Sequence, residues 1–222
     1  MQNKKKLVIA IDGPAGSGKS TVSKIAAKKL GVMYIDTGAM YRALTLKAMR
    51  LGLKLEDESS LTDLVRKTSV DLREKNGCLS VLLDGVEVSG LIRTPELTNN
   101  VKFIARVAGV RSEMVKLQRA IGERNGAVLE GRDIGTVVFP DADYKFYLDA
   151  DIKERARRRH KELVEAGQAS RLEEITRDVA VRDESDMKRS VGALKVAPGA
   201  VVIDTTNLTI DQVAEKLLSY IK

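Results

Sequence analysis

One cysteine, one histidine and no tryptophan occur in 222 residues. The lone Cys78 cannot close an internal disulfide, and without companions it makes no zinc set, so the cytoplasm is the expected location. Proline is scarce, and no Pro- or Ser-rich linker, repeat or low-complexity tract divides the chain. One domain spanning residues 1–222 is therefore expected. Aromatic residues make up 4%, few stacking platforms for a single-strand binder, although a net charge of +7 invites a nucleic-acid reading. The composition predicts no nucleic-acid partner and basic residues clustered to collect small polyphosphates instead. No apolar run approaches the roughly 20 residues of a membrane span, so no membrane partner is expected. The start MQNKKKLVIAI is basic and then apolar, as in a signal peptide, but runs into Asp12 without a small-residue cleavage site.

What is present is a strong phosphate signature. Leu7 to Ile11 is a strand-like run, and Gly13, Pro14, Ala15, Gly16, Ser17, Gly18, Lys19 and Ser20 then fit GxxxxGK[ST] ahead of a helical pattern beginning at Thr21. Glycines at 13, 16 and 18 allow successive N–H groups to turn inward around phosphate oxygens, and the following helix adds its positive end. Lys19 would reach the outer phosphates of a nucleoside triphosphate, and the Ser20 hydroxyl would ligate the Mg2+ that bridges them.

Further short apolar runs at 32–35, 127–130, 144–148 and 200–204 suit strands buried on both faces. Helical patterns cover 21–30, 39–51, 111–125, 152–165, 172–186 and 210–221. This alternation predicts an α/β fold, a P-loop NTPase core with a parallel sheet flanked by helices. From Val70 to Gly90 the turn dipeptides Asn76-Gly77 and Asp84-Gly85 separate three alternating runs, which predicts a small antiparallel meander in an inserted lobe of about residues 63–100.

A second strand–turn–helix unit carries Asp36, Thr37 and Gly38 ahead of Tyr41 and Arg42, and Gly131, Arg132 and Asp133 follow another strand. Together with Arg182, Asp186 and Arg189, these place arginines where ligands of open parallel sheets bind, and three of them suffice for one phosphate. The run IKERARRRHK has six basic residues in ten, with Arg155, Arg158 and Arg159 on one helical face. Such a face is either solvated or the wall that closes over a transferring phosphoryl group.

IDGPAGSGKST, YIDTGAMYRA, VSGLIRTPE, LEGRDIGTVVFPDADYKFYLDA and ERARRR together resemble the bacterial cytidylate kinases, along essentially the whole chain. The resemblance implies transfer of the γ-phosphoryl of ATP to CMP or dCMP, with Mg2+, by a monomer with a monophosphate-binding lobe and a lid at about residues 152–168. It implies that Gly13 to Thr21 hold ATP, that Lys19, Arg132, Arg155, Arg158 and Arg159 serve catalysis, and that Arg42, Arg132 and Arg189 hold the CMP phosphate. Thr37 would share that pocket, Arg182 and Asp186 would lie near the ribose, and Arg111 with Asp133 would lie at the cytosine edge, where a carboxylate suits the N4 amino donor. Two positions depart from the family pattern: Lys102 stands where a serine that contacts the base is common, and Ala108 stands where proline is usual. Lys102 either reaches a cytosine acceptor or points to solvent. Another small P-loop kinase is the rival enzyme. A regulatory GTPase would need an NKxD motif, which this sequence lacks.

Overall fold

A computed structural model describes residues 6–75, 78–165 and 167–222. Its centre is β1 (Val8–Asp12), every residue of which is buried. Four strands join it in parallel in the order β2-β6-β1-β7-β8, with β2 at Met33–Asp36, β6 at Ala127–Gly131, β7 at Tyr144–Asp149 and β8 at Val201–Asp204. Because neighbouring residues of a strand face opposite ways, β1 builds two cores at once. Val8 and Ala10 pack with Met40 and Leu44 of α2 (Thr37–Arg50) and Met114 of α5 (Ala108–Asn125). Ile9 and Ile11 pack with Val22 and Ala26 of α1 (Lys19–Leu30) and Val213 and Leu217 of α8 (Ile210–Ser219). A strand covered on both faces has no polar side to show, which is why the β1 run does not alternate in sequence; β8, at the edge of the sheet, departs from that expectation and leaves Val202 55% exposed.

The antiparallel sheet is present as β3 (Val70–Lys75), β4 (Cys78–Leu83) and β5 (Val86–Glu87). Asp84 and Gly85 both have positive φ, 50° and 83°, as the two-residue turn joining β4 to β5 requires. The other expected turn, Asn76-Gly77, lies outside the described residues.

Two helices in this part of the chain were not foreseen: α3 (Glu58–Arg66) and α4 (Pro95–Ala105). Asp57 caps α3 by accepting from the Ser59 and Ser60 amides, and Thr94 caps α4 at the Leu97 amide, with Pro95 in the first turn. Helix α5 begins three residues before the expected Arg111, and a π-helical turn at Ile134–Val138 follows β6. The last helices are α6 (Ile152–Glu165), as expected, and α7 (Leu172–Met187).

The topology puts the carboxyl ends of β1, β2, β6, β7 and β8 along one edge, so Gly13, Thr37, Arg132, Ala150 and Thr205 all leave the sheet on the same side. That edge, where the chain path reverses around β1, is where open parallel sheets bind ligands.

Ile11 is wholly buried in the central strand. Replacing it with alanine is expected to cost about 2–5 kcal/mol, read from the urea unfolding midpoint.

Candidate functional site

The loop after β1 is shaped by its glycines. Gly13 has φ 147°, and a Cβ there would lie 2.0 Å from the Leu148 carbonyl oxygen. Only glycine lets the loop run this close to β7. Gly18, at φ 85°, starts α1, and no side chain caps the helix. Its first amides therefore point toward whatever the loop encloses.

Lys19 is buried, and its Nζ donates to the Pro14 carbonyl at 2.5 Å and to Ser17 Oγ at 3.2 Å. Burial, and next the positive charge of Arg132, push this ammonium down to about 7, against the attraction of Glu130. Ser20 Oγ donates to Glu130 Oε2 at 2.8 Å, and the other oxygen of Glu130 accepts from the Tyr34 hydroxyl. Burial foremost, then the charge of Asp36, raise the Glu130 carboxyl above the usual range. Thr21 lies exposed on α1.

Beside this loop lies a cluster of arginines. Asp36 caps α2 at the Ala39 amide and pairs with Arg42 at 2.9 Å, while Thr37 Oγ1 donates to the Glu130 carbonyl at 2.7 Å. Asp186 of α7 holds two guanidinium groups: Arg132 Nε at 2.7 Å on one oxygen and Arg189 on the other. Burial works against its charge, but Arg132, Arg189 and Arg182 outweigh it and keep the carboxyl below its ordinary range. Arg182 makes no hydrogen bond or ion pair among the described residues. Burial, then the neighbouring charge of Arg132, lower it to about 10. Two guanidinium groups gathered on one carboxylate at the sheet edge make an arrangement suited to an anion.

Arg111 pairs with Asp133 inside the protein, the two side chains only 3% and 8% exposed, and also donates to the Ala105 carbonyl. Its guanidinium carbon lies 5.7 Å from the centre of the Tyr41 ring. The loop after α7 presses on this pair, since a Cβ on Gly192 would fall 2.0 Å from Arg111 Nη2.

The three arginines expected to share one face of α6 are put to different uses. Arg155 is buried and donates to the carbonyls of Ala150 and Ala15, with an ion pair to Asp183 of α7 at 2.5 Å. Arg158 reaches past the end of β8 to Thr205 Oγ1 at 3.0 Å and its carbonyl at 2.6 Å. Thr205 Oγ1 in turn donates to the Ser17 carbonyl. Arg159 pairs with Glu162 at 3.0 Å and is half-exposed. Lys102 is exposed on α4, over the ring of Phe103, and shares no hydrogen bond or ion pair with the other expected site residues among the described residues.

Residue-by-residue reading overlooked Asp12, Tyr34 and Glu130. The signal was there in the form of single carboxylates at the ends of apolar buried strands, Asp12 on β1 and Glu130 on the adjacent β6. Asp12 accepts from the amides of Ile134 and Gly135, each at 2.8 Å, and burial raises it to about 6 against those two bonds.

A family model described as cytidylate kinase matches residues 9–222. The chain belongs to the cytidylate kinase family. It is similar to the cytidylate kinase of Desulforamulus reducens, 49% identical over 96% of each chain. That of Clostridioides difficile is 47% identical over 97% of this chain and 98% of the relative. Among solved structures, a gluconokinase from Sinorhizobium meliloti 1021 superposes with a TM-score of 0.50 at 14% identity, covering 98% of this chain and 92% of that one. The structural likeness extends to the fold alone.

In this cytidylate kinase family member the buried charges carry consequences for stability. Asp133→Ala strands the Arg111 charge in the interior and is expected to cost about 3–5 kcal/mol on urea unfolding; a loss under about 1 kcal/mol would mean the pair is relieved by relaxation. Lys19 has a lower pKa folded than unfolded, so between about 7 and 10.5 the unfolded chain binds the extra proton and stability rises with pH. The nucleotide-free protein should therefore gain stability over that range relative to Lys19→Ala, whose urea midpoint should stay flatter.

Proposed function

We propose that the glycine loop and the arginine cluster are the donor and acceptor phosphate sites of one transfer, with ATP in the first and CMP or dCMP in the second. A phosphate oxygen of the acceptor attacks the γ-phosphorus of ATP, the bond from that phosphorus to the β–γ bridging oxygen breaks, and ADP and CDP or dCDP leave. The observation that carries this reading is the placement of Arg132, which follows Gly131 opposite Asp12 at the root of the glycine loop, shares Asp186 with Arg189, and so sets two guanidinium groups at the sheet edge that carries the buried Lys19. Cations are concentrated between the two loops, where charge develops in transfer between two phosphates.

In this reading Gly13 to Thr21 hold the ATP phosphates, and Lys19 turns from Pro14 to the transferring group. Arg42, Arg132 and Arg189 hold the CMP phosphate in the pocket of Thr37, with Arg182 and Asp186 toward the ribose. Arg111 and Asp133 meet the cytosine, Asp133 offering its second oxygen to the N4 amino group. Lys102, exposed on α4, would be carried to the base by movement of that helix. Residues 152–168 form the lid, with Arg155 the arginine that anchors it, Arg159 the half-exposed one that can turn inward, and Arg158 one that must exchange its bonds to Glu154 and Thr205 to do so.

Ser20 and Glu130 present hard oxygen donors side by side at the end of the glycine loop, a set that suits Mg2+. When bound there, the ion would neutralise charge on the β- and γ-phosphates.

An assay of ADP release with CMP, dCMP, UMP, AMP and GMP tests the assignment. CMP and dCMP should accelerate release well above the others, and Lys19→Ala should lower kcat by at least about a hundredfold with little change in CMP affinity. Failure of every acceptor, or an active Lys19→Ala enzyme, would defeat it.

A further inference from the structure

We infer that Asp12 is a positioning residue that holds the acceptor loop in register with the donor loop. The inference rests on the assignment of the two phosphate sites made above.

Asp12 is the last residue of β1 and the immediate neighbour of Gly13, so its backbone is the root of the glycine loop. Its side chain belongs to the other loop. Oδ1 accepts from the Ile134 amide and Oδ2 from the Gly135 amide, both at 2.8 Å. Upstream, β6 is paired with β1 as far as Gly131, which lies opposite Asp12 itself. Arg132 and Asp133 are thus the two residues of a short span whose ends are both fixed on Asp12, one through the sheet and one through the carboxylate. One of them pairs with Asp186 and the other with Arg111, so the span carries the phosphate-side and the base-side groups together.

The clamp is built to be dry and close. Asp12 is 2% exposed and makes no ion pair among the described residues. A Cβ on Gly135 would stand an ordinary 3.5 Å from Asp12 Oδ2 but only 3.0 Å from the Ala197 Cβ and 3.2 Å from Lys145 Cδ, so the bare residue leaves room for those neighbours around the clamp. Two convergent amides need two acceptor oxygens. A carboxylate supplies them, whereas a carboxamide supplies one and turns an N–H against the other donor. A cap that merely finished the π-helical turn would support the fold without distinguishing one nucleotide from the other.

The test is Asp12→Asn in the full-length chain. Losing one buried hydrogen bond in the clamp should raise KM for CMP by at least about tenfold and narrow the preference for CMP over UMP, while Kd for ATP stays within about threefold. Equal losses for ATP and CMP, or a folded variant with unchanged KM and base preference, would overturn the inference. Should the variant fail to fold, the wild-type protein decides: CMP alone should slow hydrogen exchange at the Ile134 and Gly135 amides in the NMR spectrum more than ATP alone does. No slowing there on CMP binding, or equal slowing by both nucleotides, would also overturn it. Wild-type protein that does not phosphorylate CMP would instead defeat the site assignment, a result separable from any property of Asp12→Asn.

Discussion

Cations kept out of water organise this protein. Lys19, Arg111 and Arg155 are each no more than 6% exposed, and Arg132 and Arg189 are only slightly more so at their side chains. Each would cost several kcal/mol to bury alone, so each demands a carboxylate, a carbonyl or a bound anion. The surrounding structure supplies the first two unevenly. Asp133, Asp183 and Asp186 answer Arg111, Arg155 and Arg132 with Arg189, and carbonyls of Pro14 and Ala15 answer Lys19 and Arg155. Arg182 feels the repulsion of Arg132 against the attraction of Asp186. An excess of positive charge of this kind suits phosphate, which relieves the repulsion that the shared carboxylate leaves.

The parallel sheet is what makes such a concentration possible. Strands covered on both faces end together at one edge, and each passes its chain into a turn at that edge. The buried cations therefore sit on a rim made of backbone ends, close to N–H and C=O groups that helices and strands leave unpaired. Glycine at 13 lets its turn run against the Leu148 carbonyl at a distance that any Cβ would prevent.

This division explains what could be read from the sequence. The donor loop was legible because its chemistry is compressed into eight consecutive residues, and the core strands because apolar runs buried on both sides have no rival explanation. Arg132, Asp186 and Arg189 were legible as types at strand and helix ends, and the structure does bring them into one cluster. Helices α3 and α4 are masked in sequence by the stronger hairpin-turn signals that lie between them, although Asp57 and Thr94-Pro95 are ordinary helix starts. The fates of Arg155, Arg158 and Arg159 were illegible for a different reason. Helical spacing says which side chains share a face, but the neighbours of that face come from Ala15, Asp183 and Thr205, remote in sequence. Glu130 and Asp12 were hidden by the same distance: each looks like the end of a strand until the amides and hydroxyls it receives are placed beside it.

Of the links that join the glycine loop to the arginine cluster among the described residues, two differ in kind. The first runs from Asp12 to the amides of Ile134 and Gly135, main chain to a two-carbon side chain inside the sheet edge. It has almost no rotatable length, so it can set a distance but cannot change one. The second runs from the Ala15 carbonyl through the guanidinium of Arg155 to Asp183, on the same helix as Arg182 and Asp186. Here a long side chain spans two helices, and Asp183 keeps one buried oxygen without a partner. That link has alternatives available, so it can yield where the first cannot. A rigid clamp at the root of the glycine loop and a longer, more adaptable tie from α6 divide the work: the first holds Arg132 and Asp133 at a constant offset from the glycine loop, while the second joins α6 and α7 to it through a side chain that can re-form its bonds.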